Sequence, residues 1–434
     1  MFKSCKRHFF SALTALFLAA IAYHPAHSAT ATLPLALTNV TVIDTAGGPA
    51  QPNMVVLVTG SRITAVGRTL TLPAGAHVVD AKGKYMIPGL WDMHVHFTHN
   101  RDGMTALFIA NGVTSVRDMG GDLDLIDAIR AKVNNGQIVG PHIIRAGPFL
   151  EGPGHTWHPE SSRIIVNNEA EARRAVATLK ARGVDFIKMH GGVSLEVLRA
   201  IVDEAKKQGL MVVGHPTVAP ADVSDAGQID IEHHVMSGDP AADKALMAKF
   251  LKNGTWIAPT MISTINGQNP INDTRLRYIP RTVLAKWDEN WPVKKRTPDE
   301  VAAARKERAT KAVGEARQLA AAGVPLLAGT DTGFRDLFPG FSLHDELALM
   351  VQAGMTPLQA LQTATLNPAK FLGTLNSEGT IAPGQRADLV LLNGNPLDDI
   401  NQVRNISDVV VAGHYLSRSD LDKLLTQAET MAAR

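Results

Sequence analysis

The sequence predicts an α/β protein in which eight β/α units close into a barrel and both chain ends supply a small composite β-sandwich. Three observations predict this. The middle of the chain alternates short apolar strands with amphipathic helices, which requires parallel pairing with crossovers. Eight strand candidates stop on or beside polar residues. Short β-branched runs at the start of the chain return at its end.

In chain order, the first element is a leader. Lys3, Lys6 and Arg7 precede an apolar run over residues 9–23, and Pro25-Ala26-His27-Ser28-Ala29 offers small residues for cleavage. This pattern is that of a secretory signal peptide over residues 1–28, cut after Ser28. The run is shorter than the roughly 20 residues a spanning helix needs. The mature protein is therefore expected in the periplasm or outside the cell, with no membrane attachment after cleavage. The single cysteine, Cys5, lies in the leader. The mature chain then has no thiol and depends on a sizeable core rather than disulfides. Net charge is +2 over the 434 residues, and removing the leader's three cations leaves −1. That balance excludes an electrostatic footprint for nucleic acid or anionic lipid, so the expected partner is a small-molecule substrate. A homo-oligomer is left open.

Residues 29–86 read as the first part of the sandwich, with β-branched runs at 36–43, 54–58 and 62–66 separated by Gly, Pro and Asn. Residues 376–434 read as its second part and a C-terminal helix. There, Ala387-Asp388-Leu389-Val390-Leu391-Leu392 and Val409-Val410-Val411-Ala412-Gly413 supply the returning strands.

Residues 87–375 form the barrel. Helix 195–208 shows the period, with Leu195, Leu198, Val202 and Ala205 on one face and Gly209 closing it. A second helix starts at Asp239-Pro240, a natural N-cap followed by proline, and carries Leu246, Met247, Phe250 and Leu251. The strand candidates end near His94, Arg117, Arg145, Lys188, His215, His233, Thr260 and Asp331. Barrel chemistry sits at such carboxyl ends. One segment, 266–308, interrupts the rhythm: it is basic and broken by Pro270, Pro280, Pro292 and Pro298. It reads either as a lid over the barrel mouth or as a solvated helical surface.

The strand ends carry the chemistry. His94 and His96 are two apart, so both side chains face the same side of a strand and can bind one metal. Lys188 ends an apolar run in Asp185-Phe186-Ile187-Lys188-Met189-His190. A buried ammonium among cationic ligands is very costly, whereas a carbamate formed with CO₂ is an anion that can bridge two metals. His215 and His233 end two further strands, and Asp331 ends the last in Gly329-Thr330-Asp331. Four histidines, a lysine and an aspartate at five strand ends are a nitrogen and oxygen donor set suited to zinc-like ions. His190 and His234 follow a ligand position by two residues and by one, and strand alternation leaves their facing open.

Pro88-Gly89-Leu90-Trp91-Asp92-Met93-His94-Val95-His96, Phe186-Ile187-Lys188, Ile231-Glu232-His233 and Gly329-Thr330-Asp331-Thr332-Gly333 resemble the binuclear amidohydrolase superfamily. The nearest likeness is to its branch of Xaa-Pro dipeptidases, related carboxypeptidases and imidazolonepropionase-like proteins. Thr365-Leu366-Asn367-Pro368-Ala369 and residues 379–390 match that family's end. The resemblance covers essentially everything after the leader, and it implies a TIM barrel with a sandwich built from both termini.

Position by position, it implies a first metal held by His94, His96, carboxylated Lys188 and Asp331, and a second held by Lys188, His215 and His233. Two divalent ions are implied, zinc first among them, with a bridging hydroxide as nucleophile and Asp331 as proton shuttle. His155, in the glycine-rich loop 147–158 after the third strand, is the expected group for polarising or orienting the carbonyl. His344 matches a family pattern but begins a helix and reads as structural. Arg275, Arg277 and Arg281 offer a weak signal for a substrate carboxylate.

The expected reaction is hydrolysis of an amide bond in a small molecule such as a dipeptide or N-acyl amino acid. Lactone or ester hydrolysis needs the same nucleophile, and a silent periplasmic binding protein on the same barrel is the reading from another class. Deamination is disfavoured, because Val218 occupies the place where the deaminases carry glutamate.

Overall fold

The computed structural model of the protein describes residues 33–97, 104–154, 159–266, 273–290 and 297–433. The predicted leader and His155 lie outside the described residues. The chain opens with five strands: β1 (Leu35–Val42), β2 (Gln51–Thr59), β3 (Arg62–Gly67), β4 (His77–Asp80) and β5 (Tyr85–Pro88). The three β-branched runs become β1 to β3, paired antiparallel in that order.

Parallel strands alternating with helices follow. β6 (Leu90–Val95), β7 (Val113–Asp118) and β8 (His142–Arg145) form one parallel sheet. A second sheet contains β9 (Phe149–Glu151), β10 (Arg163–Ile165), β11 (Ile187–Met189), β12 (Val212–Gly214), β13 (Asp230–Glu232) and β14 (Trp256–Ala258). The architecture is therefore mixed α/β with parallel sheets. Seven of these strands end where the polar residues predicted. The eighth, near 324–332, pairs through isolated bridges, Ile257 with Leu326 and Val95 with Thr332. β9 and β10 were not expected: the loop after the third strand re-enters the sheet once Gly147, at φ 72°, has turned the chain.

Backbone hydrogen bonds connect the two parallel sheets at both edges. Asp185 N donates to Arg145 O (3.0 Å), Leu327 N to Ile257 O (3.0 Å) and Met93 N to Ala328 O (2.9 Å).

The helices between strands are α1 (Thr105–Ala110), α2 (Leu123–Asn134), α3 (Glu169–Ala181), α4 (Leu195–Lys207), α5 (Pro220–Ala226), α6 (Pro240–Asn253), α7 (Met261–Asn266), α8 (Arg281–Asn290) and α9 (Pro298–Ala322). α4 carries a broader stripe than its period suggested: Val197, Leu198, Ala200, Ile201 and Ala205 are buried, while Leu195 and Val202 are only half-buried. Such a stripe is what a helix laid on a sheet needs. α6 starts as predicted, with the Asp239 carboxylate accepting from Ala242 N (2.7 Å). The segment read as lid or surface contains α8, whose Val283 and Trp287 are buried with Tyr278, Ile279 and Phe338.

The chain ends with α10 (Phe341–Gln352), α11 (Pro357–Thr363), α12 (Leu366–Leu372), β15 (Leu389–Leu392), β16 (Ile406–Val411), β17 (His414–Leu416) and α13 (Arg418–Ala432). β15 pairs antiparallel with β5, so the two chain ends share one eight-stranded sheet in the order β17-β16-β15-β5-β1-β2-β3, with β4 on β1. Both chain ends thus supply strands to the same sheet. Register breaks in β1 on either side of Val40 bend it, and one core of Leu37, Val56, Ile63, Leu391 and Val410 lies within it.

Candidate metal centre

The carboxyl ends of the parallel strands bring the predicted ligands together. His94 Nε2 lies 3.3 Å from His96 Nε2, and Asp331 Oδ1 lies 3.3 Å from each. These three residues form a group able to hold a metal ion. Beside them, His215 Nε2 and His233 Nε2 are 2.9 Å apart, and the His233 ring is 4.9 Å from that of His94. Lys188 is completely buried, and its Nζ has no hydrogen-bond partner among the described residues. Its stem passes Gly214, where a Cβ would stand 3.0 Å from Lys188 Cδ and 2.2 Å from Met189 O. Gly214 also has φ 133°, so no other residue fits there.

Outer partners determine which ring nitrogens face the centre. His94 Nδ1 donates to the Glu232 carboxylate (2.6 Å) and His96 Nδ1 to the carbonyl of Gly120 (2.9 Å). His233 Nδ1 pairs with the Thr260 hydroxyl (2.6 Å). The carboxylate and the carbonyl can only accept, so they leave Nε2 of His94 and His96 to point inward as a lone pair, the arrangement typical of metal-ligating histidines. Inward lone pairs and a carboxylate converging at these distances repel one another, and a cation between them reverses the sign. The orphaned Lys188 Nζ and this donor set fit divalent metals of the zinc type.

Backbone strain is concentrated at the same place. His233 (φ 66°), Thr260 (φ 41°) and Asp331 (φ 62°) are non-glycine residues with positive φ. Such conformations persist only where the surroundings over-determine them. Here Asp331 N donates to His94 O (2.7 Å) and His233 N to Ala258 O (2.8 Å). Asp92 accepts from the Thr330 hydroxyl (2.6 Å) and Thr330 N (3.0 Å), which ties β6 to the Asp331 turn.

Burial dominates the electrostatics. It pushes the His94 and His215 rings well below their ordinary pKa and His233 down to about 4, so neutral imidazole is the resting form. Burial also pushes the Lys188 amine down to about 8, although neighbouring carboxylates oppose it. At Asp331 burial raises the carboxyl, but the His96 and His233 imidazoles and the Ser263 hydroxyl outweigh it and hold Asp331 below the usual carboxylate range.

Several residues that build the site were missed in the sequence. Asp230 and Glu232, two apart on β13, turn inward to the fully buried Arg117, which lies 2.6 and 2.9 Å from them. Their alternation was the available signal. Glu315 of α9 accepts from Val235 N (2.7 Å) and Met236 N (3.1 Å) and contacts His234 Nδ1, fixing the chain beyond His233. Glu346 of α10 accepts from Met261 N (3.0 Å) and Ile262 N (2.8 Å) at the start of α7. α7 in turn presents the Ser263 hydroxyl to Asp331 Oδ2 (3.0 Å). These long-range anchors have no local sequence signature.

The uncertain positions separate. His190 Nδ1 lies 2.8 Å from Glu151 Oε1, with its ring 4.4 Å from that of His215. His234 points to α9. His344 is buried and donates to Asn111 O (2.9 Å), the structural role read for it. Arg275 is held by Asp273 and Asp345, each at 2.7 Å, and stacks over Phe338. A separate cavity of about 390 Å³ opens at Val324–Leu326, the opposite end of the eighth strand, and no histidine or carboxylate lines it.

Residues 85–416, which span all of these ligand positions, match the model of the amidohydrolase family. The chain belongs to that family. Amidohydrolases are hydrolytic enzymes, and this one acts on C–N bonds. It is 26% identical to ochratoxinase of Aspergillus niger over 380 residues, covering 73% of this chain and 71% of that protein. An uncharacterised protein of Mycobacterium tuberculosis is 30% identical over 331 residues, covering 71% and 80% respectively. Among solved structures, a proposed prolidase from Bifidobacterium longum superposes with a TM-score of 0.71 at 30% identity, over 92% of this chain and 99% of that one. The dipeptidase-like resemblance read in the motifs therefore holds. Enzymes of this superfamily typically use divalent metals.

Proposed function

We propose that this amidohydrolase cleaves the amide bond of a small molecule, a dipeptide or N-acyl amino acid, at a two-metal centre in the mouth of a closed (β/α)₈ barrel. The sheet-connecting hydrogen bonds at 93–328, 257–327 and 145–185 support barrel closure. The observation that carries the metal centre is the convergence of inward imidazole lone pairs and the Asp331 carboxylate around the orphaned Lys188 Nζ.

His94, His96 and Asp331 would hold one ion, His215 and His233 the second, and Lys188 would bridge them as a carbamate. Formation of the carbamate is balanced as Lys188–NH₂ + CO₂ → Lys188–NH–COO⁻ + H⁺, and burial keeps a larger share of the amine neutral for that step. Bound divalent ions supply Lewis acidity toward the scissile carbonyl and lower the pKa of water. Asp331 Oδ2, oriented by Ser263, takes the proton released by the attacking water and delivers it to the departing nitrogen. Glu232 and Gly120 hold His94 and His96 in the tautomer that leaves Nε2 free. The ochratoxinase relative, by its name, acts on ochratoxin, which keeps substrates other than peptides within the class.

The test is to assay metal-loaded protein against dipeptides, N-acyl amino acids and lactones. Metal-dependent release of amine from the amides supports the reading. Turnover of lactones alone would reject it.

A further inference from the structure

The sequence marked Arg117 only as the end of a strand. The fold encloses it completely, with its guanidinium carbon 5.2 Å from the centroid of the Phe371 ring and 5.8 Å from that of Phe186. From β7 it reaches two other strands. Its Nε donates to Met93 O on β6 (2.6 Å), the carbonyl that precedes His94. Its Nη2 donates to Glu232 Oε1 on β13 (2.9 Å) and lies 2.6 Å from Asp230 Oδ2. The other oxygen of the same Glu232 carboxylate, Oε2, accepts from His94 Nδ1 (2.6 Å). One guanidinium therefore grips both the backbone before His94 and the group that orients its ring.

Stability does not account for this arrangement. Arg117 Nη1 has no hydrogen-bond partner among the described residues, and removing buried ions from water offsets much or all of their mutual attraction. What the guanidinium supplies is direction. It carries N–H donors and no acceptor, set in a rigid planar fork. The Glu232 atom that faces it must accept, and the grip fixes the carboxylate plane so that Oε2 stays on His94 Nδ1. His96 and His233 are held differently, by the Gly120 carbonyl and the Thr260 hydroxyl.

We propose that Arg117 is the positioning residue of His94: by gripping Glu232 it fixes the hydrogen bond that presents His94 Nε2 inward as a lone pair. This rests on the metal-centre reading and deepens it, since His94 is a ligand of the first ion there. Arg117 touches neither ion nor substrate. It acts through Glu232 alone, and the direction of the Glu232–His94 bond is the property it controls.

The test is Glu232→Gln in the full-length protein, because glutamine keeps the shape of glutamate but has two unlike ends. Under the control of Arg117 the amide oxygen faces the guanidinium and the NH₂ faces His94 Nδ1, which moves the ring proton to Nε2. Nitrogen NMR of histidine-labelled, metal-free protein reads that tautomer, and zinc titration against a chelator reads the ions. Wild type should show Nδ1–H at His94. Glu232→Gln should show Nε2–H and bind its first ion at least about tenfold more weakly. Adding Arg117→Met removes the donor and lets the amide turn, so the double variant should regain Nδ1–H and much of the lost affinity. A merely structural role for Arg117 would instead make the double variant worse than the single one. Nδ1–H with undiminished binding in Glu232→Gln, or Nε2–H that persists in the double variant, overturns the proposal. The single variant decides the matter if the double one does not fold. The two readings fail separately. Zinc binding with an unchanged tautomer in Glu232→Gln rejects the role of Arg117 alone, whereas tautomer reversal and recovery without any zinc binding supports that role and rejects the metal centre.

Discussion

An ammonium at Lys188 would be fully buried without an acceptor and would stand against imidazoles that burial keeps neutral. Conversion to a carbamate turns that conflict into an anionic bridge. Lys188→Ala should therefore lose bound metal and activity together, with partial recovery of both when short carboxylic acids occupy the vacated space. Metal analysis that finds full occupancy in an active Lys188→Ala protein would reject the carbamate. Asp331 invites a separate test, because its two oxygens face different partners: Oδ1 faces the histidine pair and Oδ2 faces Ser263. Asp331→Asn keeps the shape and an oxygen donor but removes the base, so kcat should fall by at least about 10²-fold with folding retained. A near-normal kcat would mean that another group carries the proton. At this scale the sequence was legible wherever a residue sat at a strand end, since termination on His, Lys or Asp is unusual for an apolar run. The roles of Arg117, Glu315 and Glu346 were not legible, because the carboxylate partner of Arg117 and the backbone partners of Glu315 and Glu346 lie 79 or more residues away and only the fold brings them together.

Glu346 shows how a helix far along the chain positions the centre. Its carboxyl group caps α7 from α10, and α7 carries Ser263 while Thr260 precedes it. Burial, only partly opposed by the N–H donors of Ile262 and Met261, raises the Glu346 carboxyl to about 8 from an ordinary 4.5. The sign of the linkage follows directly. Between those values the unfolded chain has released this proton and the folded chain still holds it, so stability from this group falls as pH rises from about 5 to 8. Glu346→Gln cannot titrate. It should be less stable at every pH, because its amide nitrogen opposes a backbone N–H, but its deficit relative to wild type should shrink between pH 5 and 8. Denaturant titrations across that range measure the difference, and a deficit that grows with pH contradicts the assignment. Elements with a strong local pattern, such as α4, α6 and β1 to β3, were readable from period and caps. β9 and β10 were not, since a glycine-rich loop gives no periodic signal and the pairing of β9 with β10 and β11 is made by the fold.

The whole chain poses the question of where it works and what makes it a single folding unit. The cationic start, the apolar run and the Ala26-His27-Ser28 site support export, so we propose that N-terminal sequencing of fractionated cells will find a chain beginning at or near Ala29; an intact Met1 on soluble cytoplasmic protein would reject it. With no cysteine after Cys5, cohesion falls to the core, and β15 is the critical strand. Leu389 and Leu391 face the core of the shared eight-stranded sheet, whereas Val390 and Leu392 face the larger core that also holds Ile109, Val113 and Ile143 beside the parallel strands. The same strand pairs with β5 on one edge and β16 on the other. The sequence showed that strands return at the end of the chain, but the double burial of β15 could not be read from a uniform run of Leu and Val. A strand shared by two cores couples their unfolding. Leu391→Ala removes a fully buried side chain from the sheet's core and should cost about 2–5 kcal/mol. If β15 couples the cores, that loss will lower one common transition, monitored by calorimetry and by release of bound metal. Should the sheet melt first, leaving a metal-loaded parallel-strand domain that unfolds at the wild-type temperature, the two cores are independent and β15 only covers the edge of each.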